Sequence, residues 1–147
     1  MATIAVAVDG TEASAAALAF AIGKARREDA RLTGVFLLDS GWADFIGNDW
    51  QSSRNARQGF LDYVRAELEK QQERAQQQFS AATIMHAQAS FSALTGDPAE
   101  SLTAFMRRGE ADMLVIGAAA FVACGRPSAK VLAATLSREV RQPVYVL

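Results

Sequence analysis

Short apolar runs that alternate with stretches of helical periodicity constrain this chain more than any other feature. Ile4 to Val8 is apolar and β-branched, and it stops at the turn pair Asp9-Gly10. Leu32 to Leu38 is a second buried-type run, closed by Asp39-Ser40-Gly41. Asp112 to Ile116 is another, and Pro143 to Leu147 ends the sequence as a last strand. Gln88 to Thr95 alternates only weakly and carries the least strand signal. Between these runs the period changes from two to about 3.6. Ala15, Leu18, Ala19, Ile22 and Ala25 recur at helical spacing, with Thr11 placed to cap the helix. A polar, Gln- and Glu-rich helix over Arg54 to Phe79 has the apolar stripe Phe60, Leu61, Val64, Leu68, Ala75 and Phe79. Gly96-Asp97-Pro98-Ala99-Glu100 is a helix start, with Asp97 at the cap, Pro98 at the first helical position and Glu100 where a capping-box acid belongs. That helix buries Leu102, Phe105 and Met106 and ends near Gly109. A final helix over Ser128 to Arg141 presents Leu132, Leu136 and Val140 on one stripe.

The order β-α-β-α-β-α-β-α-β predicts a single-domain α/β fold: a doubly wound, five-stranded parallel sheet flanked by helices, Rossmann-like in kind. Ligands of such sheets bind beyond the strand carboxyl ends at the topological switch point. Asp9, Leu37 to Asp39 and Gly117 are expected along that edge. The 147 residues suit one domain that buries roughly 70% of its unfolded surface. Hydrophobic residues make up 50% of the chain and the formal net charge is −1. No basic block points to nucleic acid or an anionic membrane. A single cysteine, Cys124, excludes an internal disulfide framework and fits a cytoplasmic location. The amino-terminal sequence shows no secretory signal, and no segment reaches the ~18 apolar residues of a membrane span.

Four segments, in order and suitably spaced, carry a resemblance to a known family: Val6-Ala7-Val8-Asp9-Gly10-Thr11-Glu12-Ala13-Ser14, then Gly96-Asp97-Pro98, then Asp112 to Gly117, and Pro143-Val144-Tyr145-Val146. The chain resembles the universal stress proteins along essentially its whole length, which implies their adenine-nucleotide-hydrolase-like fold. In the ATP-binding members the first-strand aspartate contacts ribose or adenine, and a residue near the end of the second strand frames the base. A glycine motif, G-x2-G-x9-G-S, then wraps the phosphates. The resemblance therefore nominates Asp9, Gly10, Thr11, Leu37, Gly117, Lys130 and Leu132 as nucleotide-binding positions. Gly117 matches the first motif glycine, but Ala120, Lys130 and Val131 stand where two glycines and a serine belong. Alanine adds a methyl group, lysine puts a long side chain where backbone should approach an anion, and valine removes a hydroxyl donor. Each hydrogen bond lost to a charged ligand costs on the order of 1.5–3 kcal/mol. The expectation is no bound cofactor and a place in the non-ATP-binding branch. The alternative is an ATP or AMP sensor in which Lys130 serves as a point charge toward phosphate.

The family dimerises through its last strand, which implies a homodimer through Pro143, Val144, Tyr145, Val146 and Leu147. It also implies a stress-response or regulatory module acting by protein contacts, without nucleic acid, membrane or metal. Catalysis is not expected: there is no Ser-His-Asp set, metal-ligand cluster or phosphate-loop lysine, and no GxGxxG follows the first strand. Other residues stay open between two roles. Asp9 is a ribose ligand or the polar cap of its own turn. Trp42, Phe45 and Trp50 form a lid or partner surface, or fold back on the core. His86 has no metal-spaced partner and reads as a surface or packing residue, while Cys124 has only Arg126 as a basic neighbour to make it a reactive thiol and otherwise reads as inert. The segment Gly125-Arg126-Pro127 is an anion-binding loop or, the preferred reading, a plain turn before the last helix. Arg54, Arg57 and Arg65 with Glu67, Glu69 and Glu73 read as a solvated helix face.

Overall fold

The computed structural model describes residues 2–38, 54–86, 88–117 and 129–147, with the side chains of 54–58, 60, 61, 64, 129 and 130 left aside. Asp39, Trp42, Phe45, Trp50, Ala120, Cys124 and the Gly125-Arg126-Pro127 turn lie outside the described residues. Five strands and four helices alternate in the described chain: β1 (Thr3–Ala7), α1 (Glu12–Glu28), β2 (Arg31–Leu38), α2 (Arg54–Ala82), β3 (Ala89–Thr95), α3 (Pro98–Arg107), β4 (Met113–Ile116), α4 (Ala129–Glu139) and β5 (Val144–Val146). All neighbouring pairs are parallel, in the order β3-β2-β1-β4-β5. The winding reverses between β1 and β4, so their carboxyl ends form the switch point. The predicted α/β class and five-stranded parallel sheet are what the chain adopts.

Because successive strand residues face opposite ways, β1 feeds two cores. Ile4, Val6 and Val8 pack with Leu18, Ile22, Phe36 and Phe79 under α1 and α2. Ala5 and Ala7 pack with Val35, Leu37, Leu102, Met106, Leu114 and Leu136 under α3 and α4. Each fully buried Leu or Ile contributes about 1.5–3 kcal/mol, so the double core is the main source of stability. Gly34 in β2 makes room for α2: a Cβ there would sit 2.6 Å from the Phe79 ring. Phe79 in turn meets Phe91 of β3 with ring centroids 5.8 Å apart.

The helix ends follow their local chemistry. Asp97 caps α3 by accepting from the Glu100 amide at 3.0 Å, Pro98 opens the helix, and Gly109 takes φ +76 just past its end. One expectation needs correction. The buried stripe of α1 is Ser14, Ala17, Leu18, Ala21, Ile22 and Ala25, while Ala15 and Ala19 are exposed. An alanine-rich helix offers too little contrast for periodicity to fix its rotation. Thr11 occupies the cap position of α1, yet its side chain makes no cap bond to the helix.

Candidate functional site

The site is built where β1 turns into α1. The Val8 amide still bonds the Val35 carbonyl at 2.9 Å, after which the chain swings through Gly10 at φ +83. Glycine is needed there twice over, for the positive φ and because a Cβ would lie 3.1 Å from Cβ of Arg74 on α2. The Asp9 carboxylate folds back on its own turn, with Oδ1 accepting from the Thr11 amide at 2.9 Å and the Thr11 hydroxyl at 2.5 Å. That is why Thr11 does not cap the helix with its hydroxyl. The Asp9 amide donates to Ser14 Oγ at 3.1 Å, tying the turn to the first turn of α1.

A third element locks this turn. Gln78 of α2 accepts through Oε1 from the Gly10 amide at 3.2 Å and from the Ser14 hydroxyl at 2.7 Å. Its Nε2 donates to the Thr11 carbonyl at 2.8 Å. Sequence reasoning missed Gln78, which stands among other glutamines with nothing local to mark it. Ser14 carried a usable signal, being a hydroxyl on the buried stripe of an apolar helix face.

The remaining nominated positions separate. Gly117 is buried beyond β4, beside the turn across the switch point. A Cβ there would meet the Ala13 carbonyl oxygen at 2.4 Å, so β4 runs directly against the start of α1. Leu37 and Leu132 are buried in the core of the α3–α4 face. Lys130 lies in the first turn of α4 with its side chain outside the described set, and its neighbour Val131 is 54% exposed. The structure thus brings Asp9, Gly10, Thr11 and Gly117 to one edge, with Leu37 at the carboxyl end of β2 on that same edge and Leu132 buried in the second turn of α4.

The nominated interface strand, β5, forms one border of the sheet and pairs with β4 through Leu114–Val144, Val115–Tyr145 and Ile116–Val146. The Pro143 carbonyl accepts from Leu114, and the Leu147 amide extends the ladder to Ile116. Tyr145, Val146 and Leu147 are exposed at 41, 36 and 43%. Tyr145 leans on Phe20 of α1, with centroids 6.1 Å apart. Elsewhere, His86 Nε2 lies 3.2 Å from the Ala30 carbonyl and so fastens the end of α2 to the start of β2. Arg65, Glu69 and Glu73 are exposed, as a solvated face requires, while Glu67 is half-buried. Among the described residues no His, Cys, Asp and Glu cluster suits a metal, and no helix is long and apolar enough to cross a membrane.

A doubly wound parallel sheet with a glycine-bearing turn at its switch point defines a Rossmann-like α/β domain of the adenine-nucleotide-hydrolase-like kind. Residues 1–135 match the profile of the universal stress protein family. The chain belongs to that family; the match ends within α4, ahead of β5. None of the curated proteins compared with it matches. Among solved structures it is similar to a universal stress family protein from Burkholderia pseudomallei, at 23% identity, 99% and 95% coverage of the two chains and a TM-score of 0.61. A family protein from Arabidopsis thaliana with AMP bound aligns at 16% identity, 100% and 91% coverage and a TM-score of 0.66. The universal stress protein from Archaeoglobus fulgidus in complex with dAMP aligns at 19% identity, 99% and 97% coverage and a TM-score of 0.61.

Proposed function

We propose that this universal stress protein is a non-enzymatic regulatory module, a homodimer joined through β5, that acts by protein contacts and belongs to the branch that does not depend on ATP. The observation that carries this reading is the closed β1–α1 turn. The Asp9 carboxylate is engaged by Thr11, and Gln78 takes up the Gly10 amide, the Thr11 carbonyl and the Ser14 hydroxyl. A ribose or phosphate arriving there competes with internal hydrogen bonds, each worth about 1 kcal/mol net. Across the edge, the exposed Val131 offers no hydroxyl at the start of α4, where a helix terminus would otherwise hold an anion. These residues fit a triphosphate poorly. The β5 half of the reading rests on a bordering strand with three exposed apolar residues, which is a seam for an isologous twofold contact.

A second reading keeps an adenine nucleotide. Relatives of the same fold are solved with AMP, dAMP and cAMP, and here Asp9 and Gly117 still flank the switch point. Isothermal titration with ATP decides between them, run on nucleotide-stripped wild type beside Lys130→Gly/Val131→Ser. The expected result is no heat for wild type and micromolar binding by the double variant. Micromolar binding by wild type would establish the sensor reading instead.

A further inference from the structure

We infer that the opposite border of the sheet, β3, is a second self-pairing edge, which takes β3 of another copy of this chain in antiparallel register. Strand β3 is an outer strand whose only strand partner among the described residues is β2. Leu32 donates to the Gln88 carbonyl and Gly96 donates to the Leu38 carbonyl. In a parallel ladder, backbone groups turn alternately to the two sides, so these bonds fix the phase. Ser90, Ser92 and Leu94 face β2, while Ala89, Phe91, Ala93 and Thr95 turn their N–H and C=O groups outward.

Sheet edges of this length are ordinarily blunted by lysine, proline or a bulge. Here the run Ala-Ser-Phe-Ser-Ala-Leu-Thr holds no charge and no proline, and Ala89, Ala93 and Thr95 are exposed. Two hollows border the strand end to end. One of about 410 Å³ is lined by Arg31, Gln88, Ser90, Ser92 and Glu110 at its amino end. The other, of about 390 Å³, is lined by Leu94, Asp97, Glu100 and Arg108 at its carboxyl end.

The charges around these hollows select a second copy as the occupant. A twofold at Ser92 sets Ala89 opposite Thr95 of the other copy and Phe91 opposite its Ala93. It also brings the amino-end hollow of each copy against the carboxyl-end hollow of the other. Arg31, which holds no ion pair among the described residues, then meets Asp97 and Glu100 of the other copy, while Arg108 and Glu110 stay paired 3.9 Å apart within each copy. A parallel pairing would instead set Arg31 beside Arg31 and Asp97 and Glu100 beside their own counterparts. Of the residues that turn their backbone groups outward, Ala89, Ala93 and Thr95 carry small side chains. Since β5 borders the other side of the sheet, a chain that pairs at both edges grows beyond a dimer.

Sedimentation equilibrium on the full-length protein tests this with Ala93→Pro, Val146→Asp and the double variant. Proline at 93 removes one outward N–H and leaves the bonds to β2 intact. The wild-type mass should rise past that of a dimer with concentration, each single variant should stop at a dimer, and the double variant should be a monomer. If β5 is not an interface, Val146→Asp behaves as wild type and Ala93→Pro alone is monomeric, so the two readings fail separately. Circular dichroism checks the fold, and Ala93→Lys replaces the proline variant should that one unfold. A folded Ala93→Pro protein with the wild-type concentration dependence overturns the proposal. So does a wild type that never exceeds a dimer and is dissociated by Val146→Asp alone; the edge is then left to an extended segment of another protein.

Discussion

At Gly117 a residue type that resembles a phosphate-binding glycine has a sufficient reason of another kind. A Cβ at this position would fall 2.4 Å from the Ala13 carbonyl oxygen and 2.9 Å from its carbon, both backbone atoms held in the first turn of α1. Neither can rotate away as a side chain would, so the strand or the helix must shift. Overpacking of this sort costs typically about 1–3 kcal/mol. Gly117→Ala should therefore lower the unfolding free energy by about that much in protein free of any nucleotide, measured by urea denaturation at unchanged m-value. A wild-type midpoint would mean that the close approach relaxes freely and that glycine is kept there for a ligand. Gly34 works on the same principle beneath Phe79. In both cases the missing side chain serves the packing of an element.

Helix α2 is the element that ties the candidate site to the rest of the molecule. Its Phe79 seals one core, and Gln78, its neighbour in the chain, fastens the Asp9-Gly10-Thr11 turn. Gln78→Leu leaves the Gly10 amide to find water in a partly buried place and takes one partner each from the Ser14 hydroxyl and the Thr11 carbonyl, which keeps its bond from the Ala15 amide, a loss of about 1–3 kcal/mol. Hydrogen exchange at the Gly10 amide should accelerate far more than at Val6 in the sheet interior, since the loss is local to the turn. Equal acceleration at both would show that Gln78 acts only through global stability. These contacts also mark how far the sequence could be read. Strand and helix identities were legible because β-branched runs, Pro98 and Gly109 act on their immediate neighbours. Asp9 and Gly117 were legible as positions for the same reason. Gln78 was not, because its partners lie 64 to 68 residues away and only folding brings them together. That Leu37 and Leu132 are buried was not legible in the same way, because a sequence position near a strand or helix end does not say which way its side chain turns.

For the molecule as a whole, the borders of the sheet decide how it meets other chains. The β5 seam has Tyr145, Val146 and Leu147 exposed, while Val144 leans into the α3–α4 core and Tyr145 against Phe20. An aspartate at 146 leaves both of those intramolecular contacts in place, and sets like charges near each other across any twofold at this strand. Association that occurs only in the native state stabilises it by mass action, so the melting temperature of a dimer rises with protein concentration. In an Ala93→Pro background, which removes any contribution from β3, the melting temperature should climb across a hundredfold concentration range, by a few degrees for a domain of this size. Adding Val146→Asp should flatten that dependence and leave the far-ultraviolet circular dichroism unchanged. A flat response before the aspartate is introduced would show that β5 is a solvated edge, and the regulatory reading would then have to rest on surfaces of a single chain.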